Sequence, residues 1–382
     1  MRKLTILIKN WHFYLKRFFR KFDHKITFFI LSCLVKIGIG RGRKEDLKQN
    51  ILCFITENIG DTIRASGVID FMNTNFKSHF VCTEYNKEIL KLCGVKDEQM
   101  ITLKRDPGFL DFIKIIRKNN LHKWDTSLIL DYTETMLFAI YTSKLAGIGR
   151  IIYKIYKDSD LENLRTLAEN ANVDILTVAK YLIVKDFFYV PLKKEIKINT
   201  DDKFSQYKDY IGIHVGGFGS ILYPVSRKYP EVYTFQLIES LLKEGYKVLI
   251  TGDSFDRKSF RRYARELSKY EKFLDLSGKL LLYELASLLK VLKAYITPDN
   301  GTLHLAQAVG CKEIIAILGP TSPLLVRGKN TTIIRLDLAC SPCLNFLKFP
   351  VRCINPNYHQ CLKDLTPEMV INVIKSKINA YI

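Results

Sequence analysis

No run of apolar residues in this sequence reaches the length needed to cross a bilayer. The best candidate, ITFFILSCLV at 26–35, has ten residues between Lys25 and Lys36; a spanning helix needs about 20. A cleavable signal peptide is also a poor fit, because the basic stretch ahead of the run is long and no small-residue cleavage site follows. Acidic residues are the minority, 39 Asp/Glu against 59 Lys/Arg, for a net charge of +20. That imbalance points to anionic partners, whether nucleic acid, membrane headgroups or phosphorylated ligands, and is silent on fold. A Walker A lysine motif, an HExxH helix and a GxSxG elbow are all missing, which removes the P-loop, zincin and hydrolase readings. GIGRGR (38–43) has dinucleotide-like glycine spacing but stands ahead of the first β-α-β strand, so it does not count as a fingerprint. There is no internal repeat and no low-complexity tract.

What is present fits a large globular chain. At 382 residues with 47% hydrophobic content, two ordinary domains are expected. The nine cysteines include Cys33, Cys53, Cys82, Cys93 and Cys311 scattered in apolar contexts, a pattern of buried, reduced thiols in a cytoplasmic protein. Residues 1–50 stand apart, with thirteen Lys/Arg against three Asp/Glu, half of the whole excess. WHFYLKRFFRKF (11–22) interleaves aromatics with cations. It reads either as a basic amphipathic helix on an anionic membrane face or as a helix docked on the protein's own surface.

From residue 50 on, short β-rich runs alternate with helical periodicity. Strands are expected at 51–56, 79–83, 100–103 and 127–132, with helices at 62–74, 84–93, 108–119 and 134–146. The rhythm resumes after 205 with strands at 211–215, 246–251, 294–297 and 313–318 and helices at 231–244, 256–268, 281–292 and 301–309. Such alternation predicts α/β architecture with parallel sheets, and the length suits two doubly wound halves. The polar segment 191–207 reads as a linker. The expected division is a basic N-terminal extension (1–48), a first domain (49–195) and a second (205–382).

In open α/β sheets ligands bind beyond the carboxyl ends of the strands, which selects four loops: ENIGDT, GGFGSILYPVSRKYPE, GDSFDR and PDNGTLH. In PDNGTLH (298–304), Asp299 or Asn300 can cap a helix and Gly301 lets a ligand approach the backbone. The free N–H groups then suit a phosphate, although the same residues also serve as a plain N-cap. His304 follows one turn in. In ENIGDT, Asp61 on a Gly60 turn can act as a general base, with Glu57 as the substitute. Gly216 and Gly217, followed by Arg227 and Lys228, make a Gly-rich, basic loop that suits a diphosphate and also reads as a solvated loop. Cys340, Cys343, Cys353 and Cys361, with His359 nearby, have spacings that could hold structural zinc but match no strong template.

These loops, in this order and at about these separations, resemble glycosyltransferase family 9, the bacterial lipopolysaccharide heptosyltransferases. ILCFITENIGDTIRASGVIDFM is similar to the family's opening strand, Gly-Asp turn and helix. IGIHVGG…SRKYPE resembles its strand, small-residue loop and Lys-x-Trp-Pro element, with Arg227 at the lysine and Tyr229 at the tryptophan. Residues 274–323 resemble its longest signature without a gap, and the Cys-rich tail into CLKDLTPEMVINVI resembles members as well. The likeness covers residues 50–380 and omits the extension.

The resemblance implies a GT-B fold, two Rossmann-like domains facing a cleft, the second holding the nucleotide sugar. It implies Asp61 as catalytic base, Asn300, Gly301 and Thr302 as diphosphate cradle, and Asp299 as donor-sugar contact. Arg227 takes the place of the phosphate-binding lysine, a change of geometry at constant charge. The implied reaction is inverting transfer of a sugar, a heptose from ADP-heptose, onto a lipopolysaccharide core or related glycan. No obligatory cofactor or metal is expected. The expected partners are the nucleotide sugar, an anionic glycolipid acceptor and an anionic membrane surface met by the extension, with no nucleic acid. The expected place is the inner face of the cytoplasmic membrane. A nucleotide-sugar 2-epimerase and an inactive polybasic scaffold are the competing readings.

Overall fold

A computed structural model of the chain describes residues 50–56, 58–104, 107–119, 124, 126–131, 134–148, 150–153, 196, 202–216, 227–343, 353 and 355–379. The expected N-terminal extension, Glu57 and Gly217 lie outside the described residues. Two compact units emerge. The first comprises Met1–Glu57, Met72–Lys87 and Lys96–Val184; the second comprises Asn58–Phe71, Glu88–Val95 and Lys185–Ile382.

The first unit is built on a parallel five-stranded sheet with strands β1 (Asn50–Ile55), β2 (Lys77–Thr83), β3 (Met100–Leu103), β4 (Thr126–Ile129) and β5 (Arg150–Tyr153), in the order β3-β2-β1-β4-β5. β1 is central, so its side chains are covered on both faces. Leu52, Cys53 and Phe54 are fully buried in succession, as expected of a parallel strand with helices on either side. Helices α1 (Ile59–Arg64), α2 (Ser66–Asn75), α3 (Lys87–Leu92), α4 (Phe109–Asn119) and α5 (Glu134–Leu145) follow these strands in turn. Phe54 stacks on Phe112 of α4, which meets Phe138 of α5, with ring centroids 6.2 and 5.7 Å apart.

The second unit carries a parallel six-stranded sheet of β6 (Tyr210–His214), β7 (Lys247–Thr251), β8 (Phe273–Asp275), β9 (Ala294–Pro298), β10 (Ile314–Ile317) and β11 (Thr331–Ile334), in the order β11-β10-β9-β6-β7-β8. Its helices are α6 (Glu231–Lys243), α7 (Ser254–Leu267), α8 (Leu282–Val291), α9 (Gly301–Ala308), α10 (Pro323–Val326), α11 (Gln360–Lys363) and α12 (Pro367–Asn379). One core lies on the α6–α12 side, with Leu237, Leu241, Val370 and Ile374 fully buried. The other gathers Leu288, Leu303, Leu305 and Ile314, and it also takes in Ile63 of α1 and Ile89 of α3. Two residues of the segment read as a linker are packed as well: Ile196 donates its N–H to the Ala308 carbonyl, and Phe204 is buried.

The strand and helix expectations fall within a few residues of the observed elements. β5, β8, β11 and the C-terminal helices were not foreseen, and the helix expected at 62–74 is two helices broken at Ala65.

Candidate functional site

The site residues gather where β6, β7 and β9 end in the second unit. β9 is fully buried along its length and delivers Asp299 and Asn300 to the start of α9. Asn300 is the N-cap: in extended backbone, its side-chain oxygen accepts from the N–H groups of Thr302 (2.9 Å) and Leu303 (3.2 Å). The same oxygen accepts from the hydroxyls of Thr302 and Thr297 at 2.7 and 3.3 Å. Its amide nitrogen is buried with no hydrogen-bond partner.

Asp299, 7% exposed, receives two donors on one carboxylate oxygen, Arg227 Nη1 at 3.2 Å and Thr321 Oγ1 at 2.7 Å. Arg227 keeps a second buried donor, Nε, without a partner. The expected partnership of Arg227 with Lys228 takes a different form, because Lys228 turns to Glu231 at the head of α6 and to Ser259 on α7. Tyr229 is buried and donates its hydroxyl to the Leu365 carbonyl at 2.7 Å; burial pushes its phenol above the ordinary tyrosine range. It serves as a core anchor for the basic loop.

Also within the second unit, α1 meets the start of α9 glycine to glycine. A Cβ built on Gly60 would lie 3.6 Å from Gly301 Cα, an ordinary contact, and 3.0 Å from His304 Cδ2, close enough to press on that ring. Asp61 is thereby set one residue from that contact. Its carboxylate is partly exposed and stands 4.0 Å from Arg64. His304 is buried.

Sequence reasoning missed a polar chain beneath the helix start. The Tyr295 hydroxyl, buried in β9, bridges Thr302 Oγ1 at 3.1 Å and Thr251 Oγ1 at 2.9 Å, and Thr251 approaches His214 Nδ1 at 3.4 Å. His214 Nε2 is 3.7 Å from a carboxylate oxygen of Asp256. Asp256 accepts the Asp253 N–H at 3.1 Å, but its other oxygen has no partner. Burial raises the Asp256 carboxyl to about 6 and lowers His214 to about 4. Gly216 is required here, since a Cβ on it would sit 2.2 Å from the Asp256 carboxyl group. The available signal was a His at the end of one strand and an Asp in the GDSFDR loop after the next, too weak to be read without the topology.

The four tail cysteines are free thiols. Cys353 accepts the His359 N–H and Cys340 the Asn355 amide. Cys361 is pushed up to about 11 by burial and by the neighbouring thiols. Among the described residues no group of three or more His, Cys, Asp or Glu could hold a metal ion, so the zinc reading gains no support from this geometry.

Both units are doubly wound parallel α/β sheets, and in the second a capped helix start lies beside two buried donors that lack partners. The signature of glycosyltransferase family 9 (heptosyltransferase) matches residues 164–349, just under half of the chain. Lipooligosaccharide heptosyltransferase 2 of Haemophilus influenzae is 31% identical over 150 residues, 38% of this chain and 42% of the relative. The corresponding Campylobacter jejuni serotype O:2 protein is 25% identical over 279 residues, 69% of this chain and 82% of the relative. The chain thus matches under half the length of the Haemophilus protein. Among solved structures, E. coli ADP-heptose lipopolysaccharide heptosyltransferase II superposes with a TM-score of 0.63 at 17% identity, over 88% of this chain and 99% of that one. E. coli heptosyltransferase WaaC with ADP-2-deoxy-2-fluoro heptose gives 0.53 at 15% identity, over 86% and 99%. The fold is therefore GT-B, as the resemblance implied.

Proposed function

We propose that the protein is a glycosyltransferase that moves a heptose from ADP-heptose to a lipopolysaccharide or lipooligosaccharide core, with inversion at the anomeric carbon. The observation that carries this reading is the start of α9, where the partnerless donors Asn300 Nδ2 and Arg227 Nε adjoin the first helical N–H groups. Buried donors without acceptors are rare in folded proteins, and donors clustered at a helix start suit an anionic group. The relatives named as heptosyltransferases, one of them solved with an ADP-heptose analogue, supply the donor class.

In the chemistry proposed, the acceptor hydroxyl loses its proton to Asp61 as it attacks the anomeric carbon. The departing diphosphate gains charge, which the N–H groups of 300–302 and the Arg227 guanidinium stabilise. In this reading Asp299, which accepts from Arg227 and Thr321, also accepts from hydroxyls of the donor sugar. Single displacement by one base inverts the centre. Asp256, which accepts the Asp253 N–H, and the Tyr295–Thr302 chain support the strand-end loops of this proposed site. An acceptor carried on lipid also implies work at a membrane surface, and among the described residues no helix is long and apolar enough to cross one.

The test is transfer from a panel of nucleotide sugars to heptose-deficient lipopolysaccharide, read by mass spectrometry. Saturable ADP-heptose consumption with growth of the acceptor by one heptose is expected. Preference for another nucleotide sugar, or turnover without acceptor, would overturn the assignment.

A further inference from the structure

On its outer side, α7 presents a cationic face to the edge of the second sheet. Arg257, Arg261 and Arg265 are spaced four residues apart, so they rise ~6 Å from one to the next and span ~12 Å along the helix. With Lys258, Ser254 and Ser268 they line an open groove of about 620 Å³, whose floor is Phe273 and Asp275 of the edge strand β8. All four cations are exposed, and none of them makes an ion pair with a described residue. Cations elsewhere on this helix and just beyond it are matched: Arg262 faces Glu266 at 3.4 Å and Lys269 faces Glu239 at 3.6 Å. The one carboxylate in the groove, Asp275, is taken up by the N–H and hydroxyl of Ser277. A compact stretch of like charge is self-repelling, and it is relieved by a surface of opposite sign.

Large apolar side chains border the same end of the helix. Phe255, next to Ser254, is 53% exposed. The loop after β8 packs on the helix start, with a Cβ on Gly278 falling 3.1 Å from Ser254 Cα, and three residues on Leu281 is 61% exposed. Cations beside exposed aromatic and aliphatic side chains match the headgroup layer of a bilayer. Single-stranded nucleic acid would instead need aromatic platforms along the groove, and the lining contains one aromatic, the half-buried Phe273.

We propose that the groove between α7 and β8 docks the second unit on an anionic phospholipid surface, its four cations meeting headgroup phosphates while Phe255 and Leu281 enter the interfacial layer. The proposal rests on the reading of a lipid-borne acceptor and adds a second membrane contact, independent of the basic N-terminal segment.

The experiment compares the full chain with its Arg257→Gln/Arg261→Gln/Arg265→Gln variant. Sedimentation is measured with phosphatidylcholine vesicles, with and without phosphatidylglycerol, over a salt series. Each cation at an anionic surface contributes roughly fivefold in partitioning, so a fall of about a hundredfold with a shallower salt dependence is expected. In the Arg261→Gln variant, which touches none of the four strand-end loops, ADP binding should stay at the wild-type value. The single Arg261→Gln variant, expected to lose about fivefold, provides the answer if the triple variant does not fold. Partitioning equal to wild type in the folded variants overturns the proposal. Loss of binding to single-stranded RNA with vesicle binding intact would also overturn it, in favour of a nucleic-acid surface. Vesicle binding that responds as expected in a protein showing no heptosyl transfer would leave the docking surface standing and remove the functional reading alone.

Discussion

Arg227 and Asp299 are 72 residues apart in sequence and share a hydrogen bond of 3.2 Å at the head of α9. The pair holds the end of the basic loop against the strand-end loop that carries the helix cap. A diphosphate arriving there competes with Asp299 for the guanidinium. Losing one charge-assisted contact costs about 2–3 kcal/mol, so Arg227→Ala should weaken ADP binding tens- to a hundredfold by titration calorimetry. Arg227→Lys should fall between, keeping the charge without the fork. Unchanged affinity in both Arg227→Ala and Lys228→Ala would remove the basic loop from the site.

Asp61→Asn keeps the size of the side chain and removes its proton acceptor. Turnover should drop by roughly 10²–10⁴ while ADP affinity barely moves. Should Asp61→Asn retain near-normal turnover and Glu57→Gln lose it, the base would be Glu57.

The His214–Asp256 pair predicts opposite pH responses. The Asp256 carboxyl is raised to about 6 in the fold from its ordinary 3.8. At pH 8 the wild type therefore carries a buried carboxylate that Asp256→Asn removes, a gain on the order of 2–3 kcal/mol. That gain should shrink as pH falls through 6 and vanish near 4. His214, lowered to about 4 from 6.5, takes its proton more readily when unfolded. Wild-type stability from this group is therefore lost as pH falls from 6.5 to 4, and His214→Gln should not show that loss. Denaturant midpoints measured from pH 4 to 8 separate the two, and parallel curves for wild type and both variants would refute the burial argument.

In the first unit, the fully buried Asp131 accepts the Thr56 N–H at 2.5 Å and its hydroxyl at 2.7 Å. Asn86 donates to the Ile55 carbonyl at 3.0 Å. Together they fix the end of β1. Asp131→Ala orphans two buried donors and should cost about 3 kcal/mol in urea unfolding; Asp131→Asn, which keeps an acceptor, should cost less. A loss below about 0.5 kcal/mol for the alanine variant would mean the donors find other acceptors.

The central elements were legible because burial on both faces writes itself into the sequence. ILCFI and AYI are short apolar runs, and the loops after them carry Gly60–Asp61 and Asp299–Asn300. The edges were not legible. β8 is three residues, FLD, all half-buried, too short for any periodicity to register. α1 begins three residues ahead of its expected start, with Ile59 and Gly60 lying against Gly301. The contact of Lys228 with Glu231 was not legible either, because the sequence marks Glu231 only as a helix start. His214 and Asp256 belong to no motif; parallel pairing of β6 with β7 is what brings them together.

The strand order of the first sheet also sets a timetable for synthesis. β1 can pair with β2 soon after both emerge, but its other edge stays open until β4 is made. Thr56 must wait 75 residues for Asp131, roughly 4–15 s at ribosomal rates of 5–20 residues per second. During that interval the most apolar strand of the unit presents a bare edge beside Phe54 and Leu52, a moment at which a nascent chain is open to aggregation or to a chaperone.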